Sequence, residues 1–228
     1  MIHNSPSSPL KAVVFDLDGL MLNTEDLYQE VGRILLGRRG KEFTAELLDA
    51  MMGLRPHQAL AIMIEWHELV DTVEQLAAES REIFVPVLDE GLAPMPGLLP
   101  LLDTLEQAGI PKAVATSSGR EFVHDVLVRC NLLPRFDFIL TAEDVVEGKP
   151  NPEIYLTAAE RFGIQPQQML VLEDSQNGCN AAVAAGALTV AVPGGHSLRH
   201  NFKGTHLIAD SLADPRIYAL LGIEAPLS

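Results

Sequence analysis

The chain has few basic residues, few cysteines and no long apolar run. It carries 16 lysines and arginines against 31 aspartates and glutamates, a formal net charge of −15. This balance argues against a nucleic acid or an anionic membrane surface as the main partner. No apolar run approaches the roughly 18 residues that a membrane-spanning helix needs. The first residues also lack a basic segment followed by an apolar core. We therefore expect a cytoplasmic protein that binds no membrane and no nucleic acid.

The two cysteines exclude a disulfide framework. Cys130 and Cys179 each lie among apolar neighbours in a predicted helix, so we expect buried thiols and neither a disulfide nor a metal pair. Apolar residues are abundant and make up 47% of the 228 positions. They are enough for a sizeable core, and the length of the chain allows one large domain or one domain with a smaller insert.

Short β-branched runs alternate with helical patterns along most of the chain. The predicted strands cover residues 11–16, 111–117, 136–142, 168–174 and 187–193, with a weaker sixth at 205–210. The predicted helices between them cover residues 98–108, 120–130, 152–162 and 176–185. A glycine lies just past three of these helices, at the position where helices commonly end. This alternation predicts a Rossmann-like parallel sheet with right-handed crossovers.

One region interrupts the alternation. Between residues 22 and 93 no convincing strand occurs, and apolar residues such as Leu27, Val31 and Leu35 recur at helical spacing. A segment rich in proline and glycine, residues 91–97, then marks the return to the α/β pattern. We therefore expect an α/β core of residues 1–21 and 94–228 that carries an inserted helical domain, residues 22–93.

Polar residues gather at the predicted carboxyl ends of four strands, the edge at which open parallel sheets bind ligands. They are Asp16 and Asp18 after the first strand, Thr116, Ser117 and Ser118 after the second, Lys149 after the third, and Glu173 and Asp174 after the fourth. Aspartate or serine after a strand is often only a helix N-cap, and an isolated lysine is usually a solvated surface charge. Their joint occurrence at four strand ends favours one shared site.

Phosphoryl transfer is the chemistry that needs this set of groups. Mg²⁺ prefers carboxylate and phosphate oxygens, and it would remove the repulsion between the carboxylates of the first and fourth strands. Asp16 would attack phosphorus, and Asp18 would protonate the leaving oxygen and later activate water. Thr116 and Lys149 would hold the phosphoryl oxygens. The sequence thus predicts a partner that is a small phosphorylated metabolite.

These motifs resemble those of the haloacid dehalogenase (HAD) superfamily, and the resemblance covers nearly the whole chain. The family's first motif is matched by "DLDG" (16–19), the second by Thr116, the third by Lys149 in "EGKPNPEIY", and the fourth by Glu173–Asp174 in "LEDSQNG". The helical insert between the first two motifs is similar to the type-1 cap of that superfamily. The resemblance implies a HAD-type fold with a helical cap domain.

The resemblance also implies roles for the motif residues. Asp16 would be the nucleophile and Asp18 the general acid and base. Mg²⁺ would be held by Asp16, by the backbone carbonyl of Asp18 and by Asp174, with Glu173 in or near the ligand shell. Thr116 and Lys149 complete the catalytic set.

Four further residues are predicted to bind substrate. Ser117 follows the second strand, and Asn23 stands where many relatives have aspartate. Asn23 keeps the hydrogen-bonding shape of aspartate but removes a charge. The segment "MGLRPHQAL" (52–60) resembles the substrate-specificity loop of the cap, in which Gly53 allows close approach and Arg55 meets a polar or anionic end of the substrate. The alternative, that Arg55 is a surface charge near a helix start, stays open.

Several activities of the superfamily remain to be separated. The haloacid dehalogenases lack an acid at the position of Asp18, which disfavours dehalogenation. The phosphonoacetaldehyde hydrolases need a cap lysine, and the only lysine between residues 22 and 93 is Lys41. The β-phosphoglucomutases carry a histidine where this chain has Tyr28 and a cap lysine in a stretch where it has only Arg81. Both departures favour a phosphatase, with a phosphomutase as the alternative.

A phosphometabolite-binding protein without catalysis is a weaker alternative. Such proteins usually lose the nucleophile or the acid pair, and here Asp16, Glu173 and Asp174 are all present. For the assembly we expect a monomer or a weak dimer.

Overall fold

The computed structural model describes residues 9–51 and 56–226, which form two compact units. One unit comprises the chain up to Leu22 and from Ala93 onwards, and the other is Asn23–Leu92. None of the helices within the described ranges has the length and apolar character of a bilayer-crossing segment. Both cysteines are free thiols, Cys179 buried and Cys130 partly buried.

The first unit is built on a six-stranded sheet in which every pairing is parallel. Its strands are β1 (Ala12–Phe15), β2 (Lys112–Ala115), β3 (Phe138–Leu140), β4 (Met169–Glu173), β5 (Leu188–Ala191) and β6 (Leu207–Ile208). Their order across the sheet is β3-β2-β1-β4-β5-β6. Each strand lies inside a run predicted from the sequence, so the α/β fold with a parallel sheet is confirmed.

The regular secondary structure in the described part of the second unit is all helical. Its helices are α1 (Thr24–Gly37), α2 (Ala45–Met51), α3 (Pro56–His67) and α4 (Val73–Gly91). Buried apolar side chains from α1, α2, α3 and α4 meet in one core, among them Leu35, Leu47, Met63 and Leu76. A capping box between Thr72 and Gln75 fixes the start of α4.

The remaining helices belong to the first unit. They are α5 (Leu98–Gln107), α6 (Arg120–Arg129), α7 (Glu153–Phe162), α8 (Gln176–Ala185) and α9 (Pro215–Leu221). The first four match the helices predicted from the sequence, and α9 was not predicted. All residues of β1 and β4 are buried, as expected for strands whose two faces are both covered.

The strand order places a topological switch point beside β1. The chain runs from β1 to β2 and β3 on one side of the sheet, and then returns to β4 on the other side of β1. Ligands bind beyond the carboxyl ends of the strands at such a point. The ends of β1, β2 and β4 therefore lie next to one another at the edge where chemistry is expected.

Candidate active site

Strand register brings three carboxylates together at the switch point. Phe15 of β1 pairs with Leu172 of β4, and the N–H of Asp16 donates to the Leu172 carbonyl at 3.0 Å. The side chains that follow on the two strands, Asp16 and Glu173, are thus at the same level. Asp16, Glu173 and Asp174 each have a carboxylate oxygen within 4.8 Å of the others. All three are buried, with 7%, 0% and 2% of their surface exposed.

Lys149 inserts its ammonium group into this acidic cluster. The loop between β3 and α7 supplies it, and Nζ donates to Asp16 Oδ1 at 2.5 Å, Glu173 Oε1 at 2.6 Å and the Ala115 carbonyl at 2.9 Å. An ammonium group has three protons, so these three acceptors use all of them. Lys149 is therefore held in one orientation, with one proton directed at Asp16.

Glu173 is saturated with hydrogen bonds. Its Oε1 accepts from Lys149 and, at 2.8 Å, from the Tyr155 hydroxyl, while Oε2 accepts from the backbone N–H and hydroxyl of Ser175 at 3.1 and 3.0 Å. The backbone of Gly178 in α8 passes directly beside it. A Cβ on Gly178 would lie 1.7 Å from Glu173 Oε1, so only glycine fits at this position.

Asp18 is held by hydroxyl groups that follow β2. Its Oδ2 accepts from Ser118 Oγ at 2.6 Å and from Thr116 Oγ1 at 3.2 Å. Thr116 Oγ1 in turn accepts from the backbone N–H of Ser118 at 3.0 Å. Gly19, with φ of 76°, turns the chain directly after Asp18. Ser117 lies between the two hydroxyl donors, and its side chain is exposed.

The charged groups of the site shift one another's pKa values. Burial raises the pKa of the Asp16 carboxyl, the Lys149 ammonium acts against this rise, and the carboxylates of Glu173 and Asp18 add to it. Burial also disfavours the charged form of Lys149, but Asp16 and Glu173 outweigh burial and hold the pKa of Lys149 above its usual range. One ammonium group thus faces several buried carboxylates, an excess of negative charge that a bound cation would compensate.

The donor set at this position fits a hard divalent cation. Carboxylate oxygens are the ligands that such cations prefer, and Asp16 and Asp174 supply them from adjacent strand ends. Glu173 lies within the same cluster, although its two oxygens already accept four hydrogen bonds from the protein. Asp16 and Asp174 could hold such a cation at these strand ends.

The structure brings together six of the ten residues singled out in the sequence: Asp16, Asp18, Thr116, Lys149, Glu173 and Asp174. Ser117 lies beside them in the chain. Asn23 belongs to the helical unit, where its Nδ2 donates to the Gly91 carbonyl at 2.9 Å. Gly53 and Arg55 lie outside the described residues. The catalytic and metal-binding roles of the first six residues and the substrate-binding roles of these last four all stay predictions.

Three residues of the site carry no assigned role in the sequence reasoning. Tyr155 and Gly178 lie inside predicted helices. An aromatic residue in an apolar stripe and a small residue on a helix are both usually explained by packing alone. Ser118 stands in a run of hydroxyl residues in which spacing alone does not distinguish it from Ser117. Only their proximity in sequence could have indicated these three residues, because each lies within six residues of a predicted site residue.

The chain matches one protein-family model and is similar in sequence to phosphatases from two bacteria. Residues 13–192 match the family model described as haloacid dehalogenase-like hydrolase. The phosphorylated carbohydrates phosphatase of Thermotoga maritima is 35% identical over 177 residues, which cover 78% of this chain and 82% of that protein. The fructose-1-phosphate phosphatase of Escherichia coli is 31% identical over 182 residues, which cover 79% of this chain and 95% of that protein.

A solved structure is similar over almost the whole chain. The HAD family hydrolase of Deinococcus radiodurans, determined with bound phosphate and sodium, superimposes with a TM-score of 0.81 at 27% identity. The match covers 98% of this chain and 100% of that one. The likeness therefore extends over the α/β unit and the helical unit alike.

Proposed function

The chain belongs to the haloacid dehalogenase-like hydrolase family, and on that basis we propose that it is a Mg²⁺-dependent phosphatase of a small phosphorylated metabolite. The observation that carries the proposal is the buried cluster at the end of β1. It joins Asp16 to Lys149 at 2.5 Å and to the acidic pair of β4. This set supplies a nucleophile, a cation for phosphoryl oxygens and a site for a divalent metal.

In the first half of the reaction, a carboxylate oxygen of Asp16 attacks phosphorus. The P–O bond to the leaving group breaks, an aspartyl-phosphate forms, and the leaving oxygen takes a proton from Asp18. Ser118 and Thr116 hold Asp18 from the side of β2, so its carboxyl is oriented before substrate arrives. Orientation of this kind lowers the barrier because less conformational freedom is lost in the transition state.

Lys149 stabilises the charge that moves during this step. One of its protons is directed at Asp16 in the structure. When Asp16 becomes an acyl phosphate, its negative charge passes to the leaving oxygen, which Asp18 protonates, and the charged phosphoryl oxygens come to lie beside the Lys149 proton. The lysine therefore compensates the charge of the phosphoryl group at Asp16 without first reorienting.

In the second half, the Asp18 carboxylate takes a proton from water. The resulting hydroxide attacks phosphorus, the bond to Asp16 breaks, and inorganic phosphate leaves. Each proton that Asp18 gives up in the first half is recovered here, so both carboxylates return to their starting state.

Asp16 and Asp174 would hold the Mg²⁺ ion, together with the Asp18 backbone carbonyl. The ion supplies charge compensation between the carboxylates and the phosphoryl group. We propose that Glu173 contributes mainly by holding Lys149, because its acceptor positions are filled by the protein's own donors.

Phosphorylated sugars are the first substrate class to test. The relatives from Thermotoga maritima and Escherichia coli are named for phosphorylated carbohydrates and fructose 1-phosphate. The net charge of −15 does not favour large polyanions. A small monoester that the buried lysine can reach suits this site better.

The experiment measures phosphate release with Mg²⁺ across a panel of phosphorylated sugars and small metabolites, with Asp16→Asn as the matched control. We expect release by the wild type, loss of it in the variant, and loss on chelation of the metal. Formation of glucose 6-phosphate from β-glucose 1-phosphate without free phosphate would instead identify a phosphomutase. Saturable binding with no turnover would identify a non-catalytic binding protein.

A further inference from the structure

Tyr155 connects the core of the α/β unit to the catalytic cluster. It lies in the first turns of α7, and no part of it is exposed. Its ring belongs to the apolar core that includes Val14, Ala113 and Leu140. Its hydroxyl leaves that core and reaches the carboxylate of Glu173. The reaction described above gives this hydroxyl no task.

The hydroxyl shares its acceptor with the catalytic lysine. Tyr155 donates to Glu173 Oε1 at 2.8 Å, and Lys149 donates to the same oxygen at 2.6 Å. The Lys149 Nζ also lies 5.1 Å from the centroid of the Tyr155 ring. One side chain therefore contacts both members of the Lys149–Glu173 pair, the ammonium through its ring and the carboxylate through its hydroxyl.

The phenol is a fixed donor in this environment. Burial and the nearby Glu173 carboxylate raise the pKa of Tyr155, so the hydroxyl keeps its proton and donates it. Ser175 holds the other oxygen of Glu173. Donors on both oxygens fix the rotation of the carboxylate, and with it the point at which Lys149 binds.

We propose that Tyr155 is a positioning residue that sets how Lys149 is shared between Glu173 and Asp16. This inference rests on the proposed function, in which Lys149 serves the phosphoryl group at Asp16. With the hydroxyl present, Oε1 divides its negative charge between two donors. Without it, Oε1 interacts with Lys149 alone, and the ammonium moves toward Glu173 and away from the reacting atoms.

The chain contains a matched control. Tyr218 in α9 is likewise buried, with 1% of its surface exposed. Its hydroxyl has no hydrogen-bond partner among the residues that the structure describes. Tyr218→Phe thus removes the same group from an equally buried side chain without touching Glu173 or Lys149.

The kinetic test compares Tyr155→Phe, Tyr218→Phe and wild type in Mg²⁺-dependent phosphate release with one phosphorylated sugar. A misplacement of about 1 Å at an active site can cost roughly a hundred-fold in rate, and a smaller shift costs less. We therefore expect kcat of Tyr155→Phe to fall by about ten-fold while KM stays within about two-fold. Tyr218→Phe should keep the wild-type kcat. Equal kcat values in Tyr155→Phe and wild type would overturn the proposal.

A second measurement does not depend on activity. The chain has five lysines, so the side-chain ammonium signals in a ¹H–¹⁵N NMR spectrum are few, and the Lys149→Arg variant identifies the signal of Lys149. We expect Tyr155→Phe to shift or broaden this signal and Tyr218→Phe to leave it in place. An unchanged signal in Tyr155→Phe would sink the positioning role whatever the assay gives. A wild type without any phosphate release would instead overturn the proposed function.

Discussion

Glu173 is the residue around which the buried cluster at the ends of β1 and β4 is organised. It has no exposed surface, and four hydrogen bonds from Lys149, Tyr155 and Ser175 reach its carboxylate. A buried carboxylate is tolerated when its acceptor positions are filled in this way. Its fixed charge then holds the lysine that faces Asp16. The ligand role that the sequence assigned to Glu173 stays a prediction.

Gly178→Ala tests how closely α8 must approach this carboxylate. The added Cβ would lie 1.7 Å from Glu173 Oε1, so either the carboxylate or the helix has to move. We expect a loss of at least ten-fold in kcat and a destabilisation of about 1–3 kcal/mol, the usual cost of overpacking. Kinetic assays and urea unfolding measure the two effects. Gly37→Ala is the control, because that helical glycine has open space around it.

Ser118→Ala tests the orientation of Asp18. The change removes the donor at 2.6 Å and leaves the 3.2 Å bond from Thr116. A hydrogen bond to a charged group contributes about 1.5–3 kcal/mol, so we expect kcat to fall roughly ten-fold. Ser117→Ala is the comparison: if the exposed Ser117 binds substrate, that variant changes KM and keeps kcat. A Ser118→Ala enzyme with unchanged kcat would remove Ser118 from the catalytic arrangement.

The sequence predicted most of these residues, and the exceptions have a physical reason. Asp16, Asp18 and Asp174 follow strands closely and Lys149 lies in the loop between β3 and α7, so the strand topology brings them to one edge of the sheet. Tyr155 lies on the buried face of α7 beside apolar neighbours, so its pattern indicates core packing. The direction of its hydroxyl depends on how α7 packs on the sheet, and no local sequence pattern encodes that.

At the scale of elements, an ion-pair cluster joins the end of α1 to the start of α4. Arg39, which follows α1, donates to both oxygens of Asp71 at 3.0 and 2.7 Å and to Glu79 at 2.6 Å. It also donates to the Leu35 carbonyl at 2.8 Å, near the end of the helix. The Arg39 side chain is 18% exposed, so these bonds are partly protected from solvent. Planar, two-point binding of a carboxylate is the strongest form of this interaction.

Arg39→Met should therefore destabilise the helical unit in a pH-dependent way. The hydrogen bonds from Arg39 lower the pKa of Asp71 and Glu79. A carboxyl whose pKa is lowered by folding stabilises the fold at pH values above its pKa in the unfolded chain, which is about 4. This stabilisation is lost as the pH falls through the lower pKa of the folded state. We expect a loss of about 1–2 kcal/mol at pH 7 that shrinks at more acidic pH, the usual contribution of hydrogen bonds to charged groups reduced for partial exposure.

Thermal unfolding at neutral and acidic pH measures this difference. Arg33→Met is the control, because Arg33 pairs with Glu30 on an exposed surface, where such pairs contribute little. An Arg39→Met variant as stable as Arg33→Met at pH 7 would contradict the account.

The sequence predicted the strands and the longer helices better than the short helix α9 and the ion pairs between helices. The strands follow from short apolar runs that contain β-branched residues, and α5 to α8 follow from apolar periodicity with a glycine just beyond the helix in three cases. The helix α9 (Pro215–Leu221) was missed because seven residues hold too few turns to establish a period. Arg39 pairs with Asp71, which lies 32 residues further along the chain, and with Glu79, which lies 40 residues further. Charge patterns in the sequence do not reveal ion pairs between residues so far apart.

For the whole molecule, we expect Mg²⁺ binding to increase the stability of the folded protein. A ligand that binds only the folded protein stabilises it by about 2.7 kcal/mol at a hundred-fold excess over Kd. We expect Mg²⁺ to raise the Tm of the wild type and to have little effect on Asp174→Asn, which lacks one of the proposed ligands. Asp26→Asn is the control, because Asp26 is an exposed acid of α1. An equal rise in Tm for Asp174→Asn would place the metal elsewhere.

The most direct test of the account is to trap the phosphoryl group on the enzyme. The wild type is mixed with Mg²⁺ and a phosphorylated sugar that it hydrolyses, quenched in acid within milliseconds and digested for mass spectrometry. We expect one transient phosphoryl group on the peptide that contains Asp16 and none in Asp16→Asn. Phosphate release by Asp16→Asn, or a phosphoryl group on another residue, would contradict the assignment of Asp16 as the nucleophile.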